Sequence, residues 1–171
     1  MRIVCRQFGA DNGARRVGDG LMCVSRPQPG FAWCAALVFG TVLDERESFA
    51  SERVFETLGP AIAVIYHGTY ALAQNGVDAL PNGAAWRAEL EKLPADERHL
   101  AVHEGHMVEV SALDRPHIAS SLGALTFSGT EAQLRERIAQ LEAEGLTELV
   151  YQPLGPDIPA ELDAFAKMAG L

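Results

Sequence analysis

The segment Ser128 to Tyr151 constrains the fold most, because its residues spell a capped amphipathic helix that feeds a buried strand close to the end of the chain. Thr130 and Gln133 stand in capping-box spacing, in which the hydroxyl accepts from the third helical amide and the amide side chain reaches back to the cap. Leu134, Ile138 and Leu141 follow at steps of four and three, so one stripe is apolar while Glu131, Arg135, Glu136, Arg137 and Glu144 face solvent. Glu131 and Arg135 also stand four apart in the favourable order. Gly145 occupies the place where a helix ends on a left-handed residue, and Thr147 to Tyr151 is a short run too apolar for an edge strand. A second helix over about Ile158 to Ala169 repeats the helix after the strand, so the segment is an α/β repeat.

Earlier in the chain, Cys34 to Leu43 is an apolar run with strand character, expected to be buried on both faces. Leu21 to Val24 reads as a further strand, and Arg26 to Gly30 as a loop, since two prolines exclude a ladder or a helix interior. Ser51 caps a helix carrying Val54, Phe55 and Leu58 inward. Pro60 is expected in the first turn of a second helix that continues through Ile62, Ile65 and Leu72 and ends at Asn75-Gly76. Ala84 to Leu93 reads as a helix with Trp86 and Leu90 inward, Pro94 to Arg98 begins another, Asp114 to His117 starts a last short one, and Leu125 to Phe127 is a strand. The order of elements belongs to the α/β class, with parallel strands joined by helical crossovers.

At 171 residues the length suits one domain with a sizeable core. A formal net charge of −9, with 14 scattered Lys and Arg, argues against a nucleic-acid partner, because phosphate binding needs clustered cations. No apolar run is long enough to span a bilayer and no signal peptide is recognised at the start, so no membrane partner is expected. Cys5, Cys23 and Cys34 are odd in number and fit no zinc spacing, which predicts reduced thiols in a cytoplasmic protein.

Four stretches resemble the bacterial luciferase-like monooxygenase family: Gly18-Asp19-Gly20-Leu21, Leu37 to Glu45, His99 to His106, and Gly129 to Tyr151. The histidine stretch is similar to a subgroup described as similar to methylenetetrahydromethanopterin reductase. The resemblance runs over about residues 9 to 171 and implies the carboxy-terminal half of a (β/α)8 TIM barrel with a helical insertion over about 50 to 120, all in one partial barrel domain. It implies an oxidoreductase that uses FMN or coenzyme F420 and moves a hydride to or from a small organic substrate. Complete members are longer, and their opening strands have no counterpart in this sequence. The alternative expectation is therefore a truncated, non-catalytic half-barrel that binds a partner or self-associates as a homo-oligomer to cover open barrel edges.

Gly9, Ala10, Asn12 and Gly13 fall where the family has a strand-end loop leading into a helix, and such a loop offers backbone amides to a cofactor phosphate; an ordinary turn recruits the same residue types. His103, Glu104 and His106 are candidates to line the substrate, with structural hydrogen bonding as the alternative. Their spacing is not that of two zinc-binding histidines separated by three residues, so no metal is expected. Tyr66, His67 and Tyr70 share one helix face and line either a pocket or the core. The catalytic proton donor is not legible at this stage.

Overall fold

The computed structural model describes residues 34–171, and the candidate cofactor residues Gly9, Ala10, Asn12 and Gly13, with Cys5, Cys23, the Gly18 to Leu21 corner and the Leu21 to Val24 strand, lie outside the described residues. The chain is a mixed α/β protein with short parallel strands, and it divides into two compact units. The described part of the first comprises residues 34–47 and Gly123–Leu171; the second is Ser48–Leu122.

In the first unit, strand β1 (Ala35–Phe39) and the short β2 (Val42–Leu43) are consecutive pieces of one extended run. Strand β3 (Gly129–Thr130) leads directly into helix α5 (Glu131–Ala143), which feeds β4 (Glu148–Gln152) and then helix α6 (Ile158–Ala169). The α5 start is as its sequence implies: Thr130 Oγ1 accepts from the Gln133 amide, and Gln133 Oε1 accepts from the Thr130 amide. Its end is closed by Gly145 at φ 98°, whose amide bonds the Glu142 carbonyl while Leu146 N–H reaches back to Leu141. That pair of bonds satisfies carbonyls the helix would otherwise leave open.

Both ladders are parallel. Ala35 to Phe39 pair in register with Glu148 to Gln152, and Val42 and Leu43 pair with Gly129 and Thr130. The carbonyl of Cys34 accepts from Glu148 N–H, whereas those of Phe39 and Thr41 accept from Phe127 and Gly129. Successive backbone groups of a strand point to opposite edges, so these even- and odd-numbered partners lie on opposite sides of the 35–43 run. The run therefore sits between 127–130 and 148–152. A sequential barrel would set those two segments side by side, and no closed barrel forms among the described residues.

Two strand expectations are corrected. In β1 only Ala36 and Val38 are fully buried while Ala35, Leu37 and Phe39 are partly open, because one face alone packs into the cluster of Phe127, Leu134, Leu149, Phe165 and Met168. The strand expected at Leu125 to Phe127 forms its ladder two residues later, at Gly129–Thr130, although the Phe127 amide already bonds Phe39. Gly40 permits this approach, since a Cβ there would stand 2.1 Å from the Phe127 carbonyl oxygen.

The second unit is helical. Helix α1 (Glu52–Leu72) begins at Ser51, whose hydroxyl accepts from Val54 N–H, and runs without a break through Pro60. The two helices expected on either side of Pro60 are thus one. The buried stripe Val54, Phe55, Leu58, Ile62 and Tyr66 continues across the proline, and its burial outweighs the lost hydrogen bond. The helix ends at Leu72, before the expected Asn75-Gly76, and a 3-10 turn (Gln74–Ala79) follows. Helices α2 (Gly83–Leu90), α3 (Arg98–His103) and α4 (Arg115–Ile118) complete the unit, with α1 and α2 both packed on α4. Trp86 and Leu90 are fully buried, as their inward spacing implies.

Candidate functional site

The polar chemistry of the helical unit gathers on Asp114, which is 1% exposed at the start of α4. Its Oδ1 accepts from Trp86 Nε1 at 2.7 Å and lies 3.0 Å from His67 Nε2; its Oδ2 accepts from the Ser111 hydroxyl at 2.7 Å. The Ser111 oxygen in turn accepts from the Asp114 amide, which fixes the turn that presents the carboxylate. Burial alone would raise the Asp114 pKa. The hydrogen bonds from His67, Ser111 and Trp86, with the attraction of His67, together outweigh it and hold the carboxyl below its ordinary value.

His67 lies on α1 and is 5% exposed. An ionised carboxylate only accepts, so the His67 nitrogen facing Asp114 carries the hydrogen, and its other ring nitrogen is left to face elsewhere. That atom, Nδ1, makes no hydrogen bond among the described residues although it is buried. The imidazole stacks on Trp86 with ring centres 5.7 Å apart, and Tyr70 meets the same indole edge-on at 5.7 Å with its own hydroxyl buried and unbonded. Tyr66, one position before His67, is tied down differently: its hydroxyl donates to the Pro81 carbonyl and lies 2.5 Å from Ser121 Oγ. Of the three aromatic and imidazole side chains singled out on this face, Tyr66 is therefore a core residue, while His67 and Tyr70 each hold an unused polar atom.

The candidate substrate residues lie beside this cluster. His103 closes α3, Glu104 caps it, and His106 follows Gly105, which adopts φ 64°. All three of His103, Glu104 and His106 are exposed. The rings of His103 and His106 are 5.5 Å apart, and His106 stands 6.5 Å from His67, inclined by 29°. His103 and Glu104, with His99, Leu100 and Ala101, line an open depression in the surface. The structure thus joins His106 to His67, a contact between residues thirty-nine positions apart in sequence that the histidine spacing alone does not suggest. Among the described residues no group of three His, Cys, Asp or Glu side chains is placed to hold a metal ion.

Asp114, Ser111 and Trp86 are the site residues that sequence reasoning missed. Asp114 was legible only as the opening of a helix, and Trp86 only as an inward residue of α2; neither signal announces that the two side chains meet. In the first unit the polar interior is different in kind. Thr41 Oγ1 donates to Glu161 Oε2 at 2.6 Å and the Thr41 amide donates to Ser128 Oγ, so those groups brace the strand ends. Burial raises the pKa of the Cys34 thiol, which makes it a poor nucleophile. No described helix is long and apolar enough to cross a membrane. Compared with family models, with curated proteins and with solved structures, the chain finds no match.

Proposed function

We propose that the chain is a flavin- or F420-dependent oxidoreductase of the luciferase-like monooxygenase family, acting on a small organic substrate by hydride transfer. The observation that carries this reading is the Gly129 to Tyr151 unit, the most specific segment of the resemblance, which folds as a capped helix leading into a strand parallel to β1. In this reading His103, Glu104 and His106 line the substrate, the exposed turn giving them access to it. Gly9, Ala10, Asn12 and Gly13 are proposed to receive the phosphate of FMN or F420. The cofactor supplies the redox chemistry when bound, and the protein's part is orientation and exclusion of water. Titration of the purified chain with FMN and with F420, followed by absorbance and fluorescence, tests the reading. Binding of one cofactor is expected, and binding of neither rules out a self-sufficient enzyme.

A specific observation favours a second reading, that of a non-catalytic chain that binds a partner or self-associates through strand edges not closed into a barrel. The 35–43 run lies between 127–130 and 148–152, an order that does not extend sequentially into a closed barrel. Fold likeness does not by itself carry a function, which depends on a complete site. Sedimentation of the purified chain separates the cases. A concentration-dependent dimer without cofactor affinity supports the second reading, and a monomer that binds FMN or F420 supports the first.

A further inference from the structure

We infer that His67 is a proton-accepting site oriented by Asp114, its Nδ1 serving the hydroxyl or N–H group of a small molecule seated at the His103–His106 turn. The seat of that molecule rests on the reading above, in which the turn lines the substrate.

Three observations carry the inference. The first is that Asp114 is saturated: Trp86, Ser111 and His67 all direct hydrogen at its two oxygens, the indole being a donor only. His67 is thereby locked in one orientation with its hydrogen on Nε2. The second is that Nδ1 is buried and makes no hydrogen bond among the described residues, whereas buried polar atoms in folded proteins are nearly always paired. A carboxylate that orients an imidazole whose far nitrogen is left unpaired is the arrangement of orienter and base that activates a hydroxyl or amine. The third is the path outward. The His67 ring stands 6.5 Å from that of His106, and His106 stands 5.5 Å from His103 at a tilt of 57°, so the exposed turn is the neighbour of the buried ring. The groups packed around His67 are Asp114, Trp86 and His106, with the unbonded Tyr70 hydroxyl over the same indole.

The step is a single proton transfer. The O–H or N–H bond of the bound molecule breaks, its electron pair stays on the donor atom, and a new N–H bond forms at Nδ1. The resulting imidazolium is paired with the Asp114 carboxylate, so the pair passes from one negative charge to none while the donor gains the negative charge.

The test uses the full chain labelled with 15N-histidine. The nitrogen resonances of His67 are expected to report hydrogen on Nε2 and a bare Nδ1 in the unmutated protein. Phenol, a ring with a hydroxyl donor, is expected to move the Nδ1 resonance, and anisole, the same ring without the donor, is expected to leave it in place. Asp114→Asn is expected to abolish the tautomer preference; if that variant does not fold, the phenol and anisole comparison in the unmutated chain still decides. Hydrogen found on Nδ1, or an equal response to phenol and anisole, overturns the inference. A chain that binds neither FMN nor F420 yet shows the phenol response loses the oxidoreductase reading and keeps this one.

Discussion

Asp114 is the residue on which the buried polar groups of His67, Ser111 and Trp86 all depend. Asp114→Asn preserves the shape but replaces a charged acceptor facing three donors with an amide that accepts at one atom only, and leaving buried donors unpaired in this way costs about 3 kcal/mol. Trp86→Phe removes one donor and leaves His67 and Ser111 in place, so a smaller loss of about 2 kcal/mol is expected, the range for a hydrogen bond to a charged group. Urea denaturation of the two variants checks the order. The pH dependence has a definite sign. Because the folded Asp114 pKa lies below its ordinary value of 3.8, the network's contribution is complete above that value. It is lost progressively as pH falls through the lower folded value, since the unfolded chain then binds more protons than the folded one. The stability gap between the wild type and Asp114→Asn is therefore expected to narrow below about pH 4. None of this was legible in the sequence, because His67 and Asp114 are forty-seven positions apart and a helix-opening aspartate looks the same whether solvent or an imidazole faces it.

Helix α5 and helix α1 show which elements local sequence determines. In α5 the cap, the apolar stripe and the terminal glycine all act within a few residues, so its span was readable, and Thr130→Ala is expected to cost about 1 kcal/mol in thermal or urea unfolding. In α1 the local signal at Gly59-Pro60 pointed to a break, and tertiary burial decided otherwise. Gly59 is needed there for a separate reason: a Cβ would stand 2.7 Å from Val110 Cγ2. Pro60→Ala restores an amide in the middle of a continuous helix and is expected to stabilise the chain by roughly 1 to 3 kcal/mol, the upper figure being the full helix penalty of proline. A loss of stability on urea denaturation would mean that the helix is in fact two. The exposed substrate candidates were readable as a histidine cluster because they are close in sequence, but their neighbour His67 was not.

At the scale of the whole molecule, periodicity identifies strands and says nothing about which strands are neighbours. The strands expected at Cys34 to Leu43, Leu125 to Phe127 and Thr147 to Tyr151 were all expected to be parallel, and the order of the segments that form follows from hydrogen bonds that only the fold supplies. The alternation along β1 and β2 makes the order a sharp prediction. Carbonyls of even residues serve β4 and those of odd residues serve the 127–130 segment, so a shift of one residue would reverse both partnerships and carry Ala36 and Val38 out of the core. Backbone NOEs are expected between Gly129 and residues 41–43 and between 148–152 and 35–39, with none joining 127–130 to 148–152. A sequential barrel requires contacts of the last kind. Recording the spectra with and without FMN or F420 brings the fold and the function into one experiment: if the 127–130 to 148–152 contacts appear only with cofactor, the barrel is an arrangement that ligand binding selects, and the observed order is that of the free chain. If the pairing around 35–43 persists with cofactor bound, this chain binds its ligand on a sheet that is not an arc of a barrel.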